Sequence, residues 1–406
     1  MQQSLPTAFS RVFRLVLQAC VPAFALGAFA VGRACFATDY HLVVTFPPWD
    51  VYNRKMNWSN PRDWETADHA NGVPSTAHDV GIVPDGLHIS VSEPLGTDNN
   101  RPTIRVDRGG TLWMPRDLEN PLVLNGGTLY GDWQGKTAVS PITLTADSTI
   151  GARDEWGGWQ IQVDAPVSNP KPVILHINGT VMWKSDDSKT FTGAIDVDRG
   201  VIGFPTGPLG SGLIGTGPIQ LGVETAMMFT QERDLVRYPV TNALSGDGSI
   251  WAGNMYPQNI LAFSGETLRP GLPDKPGTLC VRAGSFEFER HAGRPVQFVV
   301  EVNGNGANPK ADYSQFAIVG NLANSMNNAD LILRLKPDMT PQQAAALRLD
   351  VITTQRNDLT RENVDWQPFH SVQVIAGNRK GSATVKVVAD PLTEGSDVEV
   401  SDIRLQ

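Results

Sequence analysis

Asp196 and Asp198 stand two positions apart in TFTGAIDVDRGVIGFPTGPLGSG, the stretch from Thr190 to Gly212. On an extended chain both carboxylates point to the same side. Such a pair could hold a calcium ion or divide acid and base work, and two carboxylates about 5–9 Å apart suit glycoside hydrolysis. The plainer role is a solvated outer strand face, with Arg199 beside it as a partial neutraliser. Asp186 and Asp187 in WKSDDSKT form a similar pair within a loop pattern. His69 and His78, with Asp68 and Asp79, are the densest group of ligand-type residues, but they fall in a Gly/Pro loop where polar side chains need no further role. The remaining histidines, His41, His88, His176, His291 and His370, are scattered. No HExxH, nucleophile elbow, phosphate loop or dinucleotide fingerprint occurs. The sequence therefore assigns no catalytic residue, no metal ligand and no cofactor.

Aromatic residues carry a different chemistry. Trp133 in GDWQG, and Trp156 and Trp159 in RDEWGGWQIQ, place indoles among polar and glycine neighbours. An indole so placed can stack on a sugar ring and hydrogen-bond at its edge, or plug a corner of a β-fold. These three are the expected glycan-binding residues. Trp58 and Trp64 precede a proline turn and are expected to close the N-terminal end of the core. A formal net charge of −9 with no local basic cluster argues against a nucleic-acid partner held through phosphate contacts.

The elements that would position these residues are short strands. Arg11 and Arg14 precede an apolar run from Leu15 to Val31, and ACFA at Ala34–Ala37 offers small residues for cleavage. Residues 1–37 are read as a signal peptide, with an uncleaved membrane anchor as the rival. Removal after Ala37 leaves Cys280 as the only thiol, so no intramolecular disulfide staples the chain. Cys280 itself reads as a small buried hydrophobe.

Beyond the leader, one pattern recurs: IRVDRGGTLWM from Ile104, IDVDRGVIGF from Ile195 and LCVRAGSFEFE from Leu279. LVLNGGTLYG from Leu122 and LAFSGETLRPG from Leu261 are looser copies. Each reads as a short strand, a sharp turn at a glycine able to take positive φ, and a second short strand. Alternation sends Ile195 and Val197 to one side and Asp196 and Asp198 to the other. A strand pair this short cannot bury its apolar side alone, whereas stacked copies at roughly twenty to twenty-five residues per turn bury one continuous interior. The expected fold is all-β, a β-solenoid, with a β-sandwich as the alternative. A short helix or turn leading into the strand LRLDVIT is expected from TPQQAAALRL: Thr340 as N-cap, Pro341 at the first helical position and Gln343 closing a capping box.

These segments resemble the autotransporter-associated β-strand repeat proteins, a family of exported bacterial passengers. Thr190–Gly212 is similar to that family's repeat hallmark, and GETLRPGLPDKPGTLCVRAGSFEFE from Gly265 to a second one. FVVEVNG from Phe298 and DYSQFAIVGNL from Asp312 follow in the family's order, and NWSNPRDWETADHANGVPSTAHDVGIV from Asn57 looks like its opening segment. The resemblance implies a right-handed parallel β-helix and an exported surface role. It departs in having one good repeat copy and no run like a translocator barrel.

The expected organisation is a signal peptide over 1–37, an N-terminal capping region over 38–100, a repeat region over 101–351 and a β-rich C-terminal end over 352–406. The expected function is non-enzymatic: an exported surface or envelope protein with a structural or adhesive, glycan-contacting role. A carbohydrate-active β-helix enzyme, lyase or hydrolase, is the alternative. Expected partners are cell-surface or extracellular polysaccharide or envelope proteins, with the membrane met only through the targeting segment. The expected location is the cell surface or extracellular space, with the periplasm as second choice.

Overall fold

The computed structural model describes residues 38–43, 60–90, 93–114, 117–131, 136–152, 160–184, 190–204, 214–230, 237–252, 259–322, 325–355, 369–389 and 395–406. One compact body begins at Asp39 and runs to Gln406. It is all-β, a parallel β-solenoid whose coils present three stacked faces; the parallel registers exclude the sandwich.

On the first face, Asp39–Leu42, Val80–Val83, Thr103–Asp107, Leu122–Asn125, Ile142–Ala146 and Val167–Ser168 stack in parallel. Stacking thus begins within the region read as a cap. The same face resumes at Arg237–Val240, Ile260–Phe263 and the second half of Thr278–Phe288. The second face starts at His88–Ser90, passes through Thr111–Met114, Thr128–Gly131 and Ser148–Ala152, and reaches Ser371–Ala376. The third begins at Lys136–Ala138 and Gln160–Val163 and reaches Leu349–Thr354.

Period-two alternation puts one row of apolar side chains inside each face. On the second face that row is Leu112, Leu129, Ile150, Ile177, Val197 and Leu221, each pairing with the next and each fully buried. Burying one such side chain is worth about 1.5–3 kcal/mol, and stacking repeats that gain in every coil. Val106 is likewise buried, while Asp198 is exposed at a corner and Asp107 is half-buried against Arg105 and Asn125.

The recurring sequence pattern turns out to be a corner rather than a coil. The copy at Ile104 joins the first face to the second, the copy at Ile195 joins the second to the third, and the copy at Leu279 joins the third to the first. The glycine takes positive φ at Gly109 (77°), Gly126 (87°) and Gly200 (82°). Gly284 and Gly265 do not: the third copy bends through a register shift between Arg282 and Ser285 instead. Asn120 and Asn242 plug other corners, each giving its Nδ2 to two carbonyl oxygens of the coil beneath.

Both ends are closed. Asp39–Leu42 pairs antiparallel with Trp64–Thr66, and Trp64 is fully buried as expected; Trp58 lies outside the described residues. At the other end Arg379–Ala389 and Ser396–Leu405 form an antiparallel pair that covers the last strands of the second and third faces. The helix α1, Pro341–Ala346, carries the complete Thr340–Gln343 capping box. Cys280 departs from expectation: it faces outward, half-buried, hydrogen-bonded by Arg282, and burial pushes its thiol up.

Candidate functional site

Face-on, the outer surface of the second face carries a ladder of polar side chains at one register position. Thr111, Thr128 and Thr149 are successive partners, followed by His176, Asp196 and Gln220, then Ser245 and Arg269. All are half-buried, and along most of the row the side chain's base packs against its neighbours while its polar end meets solvent; Arg269 keeps its Nε buried. In-register stacking sets their spacing at about 4.8 Å. The threonines come from the corner itself: in GGTL and again in GGTL, the residue after the two glycines is the first outward position of the new strand.

Two positions further along, Trp113 and Tyr130 are also ladder partners, with ring centroids 4.6 Å apart and planes tilted by 52°. Gly151 follows Tyr130 in register. A Cβ there would lie 3.2 Å from the Tyr130 ring and 2.2 Å from the carbonyl oxygen of Asn178, so only glycine lets the ring lie across the next coil. Sequence reading missed this pair, because the aromatic positions are separated along the chain and meet only through stacking.

The carboxylates that opened the sequence reading find a partner one coil away. His176 Nδ1 lies 2.8 Å from Asp198 Oδ2, and His176 is the register partner of Asp196. A register shift between Ile177 and Asn178 admits Asp198 as an extra corner residue, so the two aspartates do not sit side by side on one flat strand. Burial raises the Asp196 carboxyl above its ordinary range; His176 opposes that rise, and Asp198 and Asp147 add to it.

The other polar groups weighed as candidates have local partners. His69 pairs with Glu65 at 2.6 Å, Asp68 accepts from the Thr66 hydroxyl, and Asp79 accepts from the backbone N–H groups of Ser75 and Thr76. Among the described residues no three His, Cys, Asp or Glu side chains are grouped to hold a metal ion. Trp133, Trp156 and Trp159 lie outside the described residues, as do Asp186 and Asp187.

Compared with family models, curated proteins and solved structures, the chain finds no match in any of the three.

Proposed function

We propose that this chain is an exported bacterial surface or envelope solenoid, of the autotransporter-associated repeat type, whose second face contacts an extended polyhydroxylated polymer. The observation that carries the reading is the outer ladder from Thr111 to Arg269, a polar row repeating coil by coil beside the Trp113–Tyr130 pair. A polymer of sugar units offers hydroxyls at regular intervals and apolar ring faces, which complement a row of hydroxyl, amide and charged groups with an aromatic pair at its margin. Individually weak contacts along such a face add through multivalency rather than through one tight pocket. Export is supported by the apolar run with small residues at Ala34–Ala37. N-terminal sequencing of the exported protein should start near Thr38; recovery of an intact 15–31 segment on membrane-bound protein would replace secretion with anchoring.

The binding test is retention of the full chain on insoluble polysaccharides, beside a variant with Thr111, Thr128 and Thr149 all changed to Ala. The variant is expected to lose most of its retention while keeping its circular dichroism spectrum. Equal retention by both proteins removes the face from the reading. A second arm, with Trp133, Trp156 and Trp159 changed to Ala, tests the indoles singled out by sequence. The carbohydrate-active alternative has one observation in its favour, the buried carboxylate of Glu301 beside a cavity. Release of reducing ends or unsaturated products from a polysaccharide would move the reading to that alternative.

A further inference from the structure

Beyond Leu268 the coils of the second face grow longer. The row Ile195, Ile219, Leu244 and Leu268 advances by nearly constant steps, whereas Leu268, Phe298, Leu331 and Val372 stand progressively further apart in sequence. Much of the added chain lies in the connections that leave the C-terminal ends of these strands. Together they wall a cavity of about 570 Å³, a size within the range of small-ligand sites.

Glu301 lines this cavity, although the residue is only 2% exposed. Among the described residues its Oε1 has no hydrogen-bond partner, and neither has the buried Nε of Arg269. The two atoms face each other at 3.7 Å, too far for a direct hydrogen bond. An unmet buried carboxylate oxygen is costly, so a native fold keeps one where something supplies the missing contact. A hydroxyl reaching Oε1 from the cavity would supply that contact, whereas Arg269 is not among the described residues that line the cavity. Burial holds the Glu301 carboxyl above its usual range; Arg269 and Arg334 pull it back, the Asp274 carboxylate raises it, and a backbone hydrogen bond from Asp274 lowers it.

The cavity's other charged residues are Asp274 and two cations. Arg334, the register partner of Glu301, and Lys336 both line it and both are exposed. Their neighbourhood is fastened. Asn303 Nδ2 donates to the Asp274 carbonyl at 2.7 Å, and Arg379 Nη2 donates to the carbonyls of Pro337 and Met339 at 2.8 and 2.7 Å. Walls held in this way lose little freedom on binding. A second cavity, also about 570 Å³, shares Asn303 and Lys336 with the first and extends toward α1.

We infer that this cavity binds a hydroxylated carboxylate of the sugar-acid class, with one hydroxyl donating to Glu301 and the carboxylate held by Arg334 and Lys336. The ligand is either a free sugar acid or the end unit of an acidic polysaccharide whose next unit enters the second cavity. The site does not depend on the Thr111–Thr149 face, and variants there leave it intact.

The test is calorimetric titration of the full chain with glucuronate, glucose and acetate, then with a short oligouronate. Glucuronate is expected to bind at least tenfold more tightly than glucose, which lacks the anion, or acetate, which lacks the hydroxyls. Glu301→Gln and Arg334→Ala should each weaken glucuronate at least tenfold, about 1.4 kcal/mol. Arg334 is exposed, so its variant keeps the fold and remains informative if Glu301→Gln does not fold. Tighter binding of the oligouronate identifies a chain end as the ligand, and equal binding identifies the free acid. No binding of glucuronate, or binding that neither variant alters, overturns the inference. Loss of polysaccharide retention in the threonine variant with glucuronate binding unchanged would separate this site from the face.

Discussion

At Gly200 the backbone takes φ 82°, and a Cβ built there would stand 2.6 Å from the carbonyl oxygen of Gly179 in the coil beneath. Gly179 is itself at φ 105°, so two left-handed corners lie directly on one another. Gly86 offers the control: φ is 73°, but nothing among the described residues lies within 4 Å of its built Cβ. Gly86→Ala should therefore cost only the backbone term, about 1 kcal/mol, and Gly200→Ala on the order of 3 kcal/mol, read as a difference in denaturation midpoint. Equal costs would mean that the stacked carbonyl contributes nothing. The VDRG pattern announced this glycine in the sequence. It could not announce Gly179, whose role depends on what lies above it.

Tyr313 contributes to the loss of stability at high pH. Burial first, and then the nearby Asp350, Asp397 and Asp312 carboxylates, push its hydroxyl up to about 12, while a hydrogen bond to the backbone of Asp350 works in the opposite direction. An unfolded tyrosine ionises near 10. Below that pH both states keep the proton and the full stability is present. Between about pH 10 and 12 the unfolded chain gives up its proton first, so stability falls as pH rises, by about 3 kcal/mol in all. Tyr238, also raised by burial, acts in the same direction. Tyr313→Phe should flatten the slope of denaturation midpoint against pH in this window without removing it, and an unchanged slope would assign the alkaline loss elsewhere.

Among the elements, the C-terminal antiparallel pair has the clearest task. Leu349–Thr354 and Ser371–Ala376 end the stacks of the third and second faces, and Ser396–Leu405 and Arg379–Ala389 pair with them. Without that pair, two long strand edges would offer unpaired backbone groups to a second copy. A chain ending at Ala376 should associate, seen as light scattering that rises with concentration while the full chain stays unchanged. A truncated chain that remains monomeric would show that the edges are protected by other means. The sequence reading found strands here but not their direction, because the same alternation serves parallel and antiparallel pairing. By contrast, α1 was legible to the residue, since its cap, its proline and its capping box all act within one turn. The cavity at Glu301 was illegible for the opposite reason. Its residues come from connections one coil apart, and nothing local marks Glu301, in VVEVNG, as more buried than any outward strand residue.

For the whole molecule, stacking makes stability close to one-dimensional: each coil touches the one before it and the one after it. A defect should therefore spread by proximity along the stack rather than evenly through the chain. Val197→Asp supplies the defect, since Val197 is 1% exposed between Ile177 and Leu221 and a carboxylate there has no partner. The cost is several kcal/mol, from an unpaired buried charge. Hydrogen exchange followed by mass spectrometry should show the largest loss of protection in the neighbouring strands Ile174–Trp183 and Ile219–Leu221. Thr103–Asp107 and Ala329–Leu335, several coils away in either direction, should keep most of theirs. A uniform loss from Val80 to Leu405 would mean that the coils unfold as one cooperative body. The ladder on the second face and the cavity near its end would then share a single stability instead of standing on separable stretches of the stack.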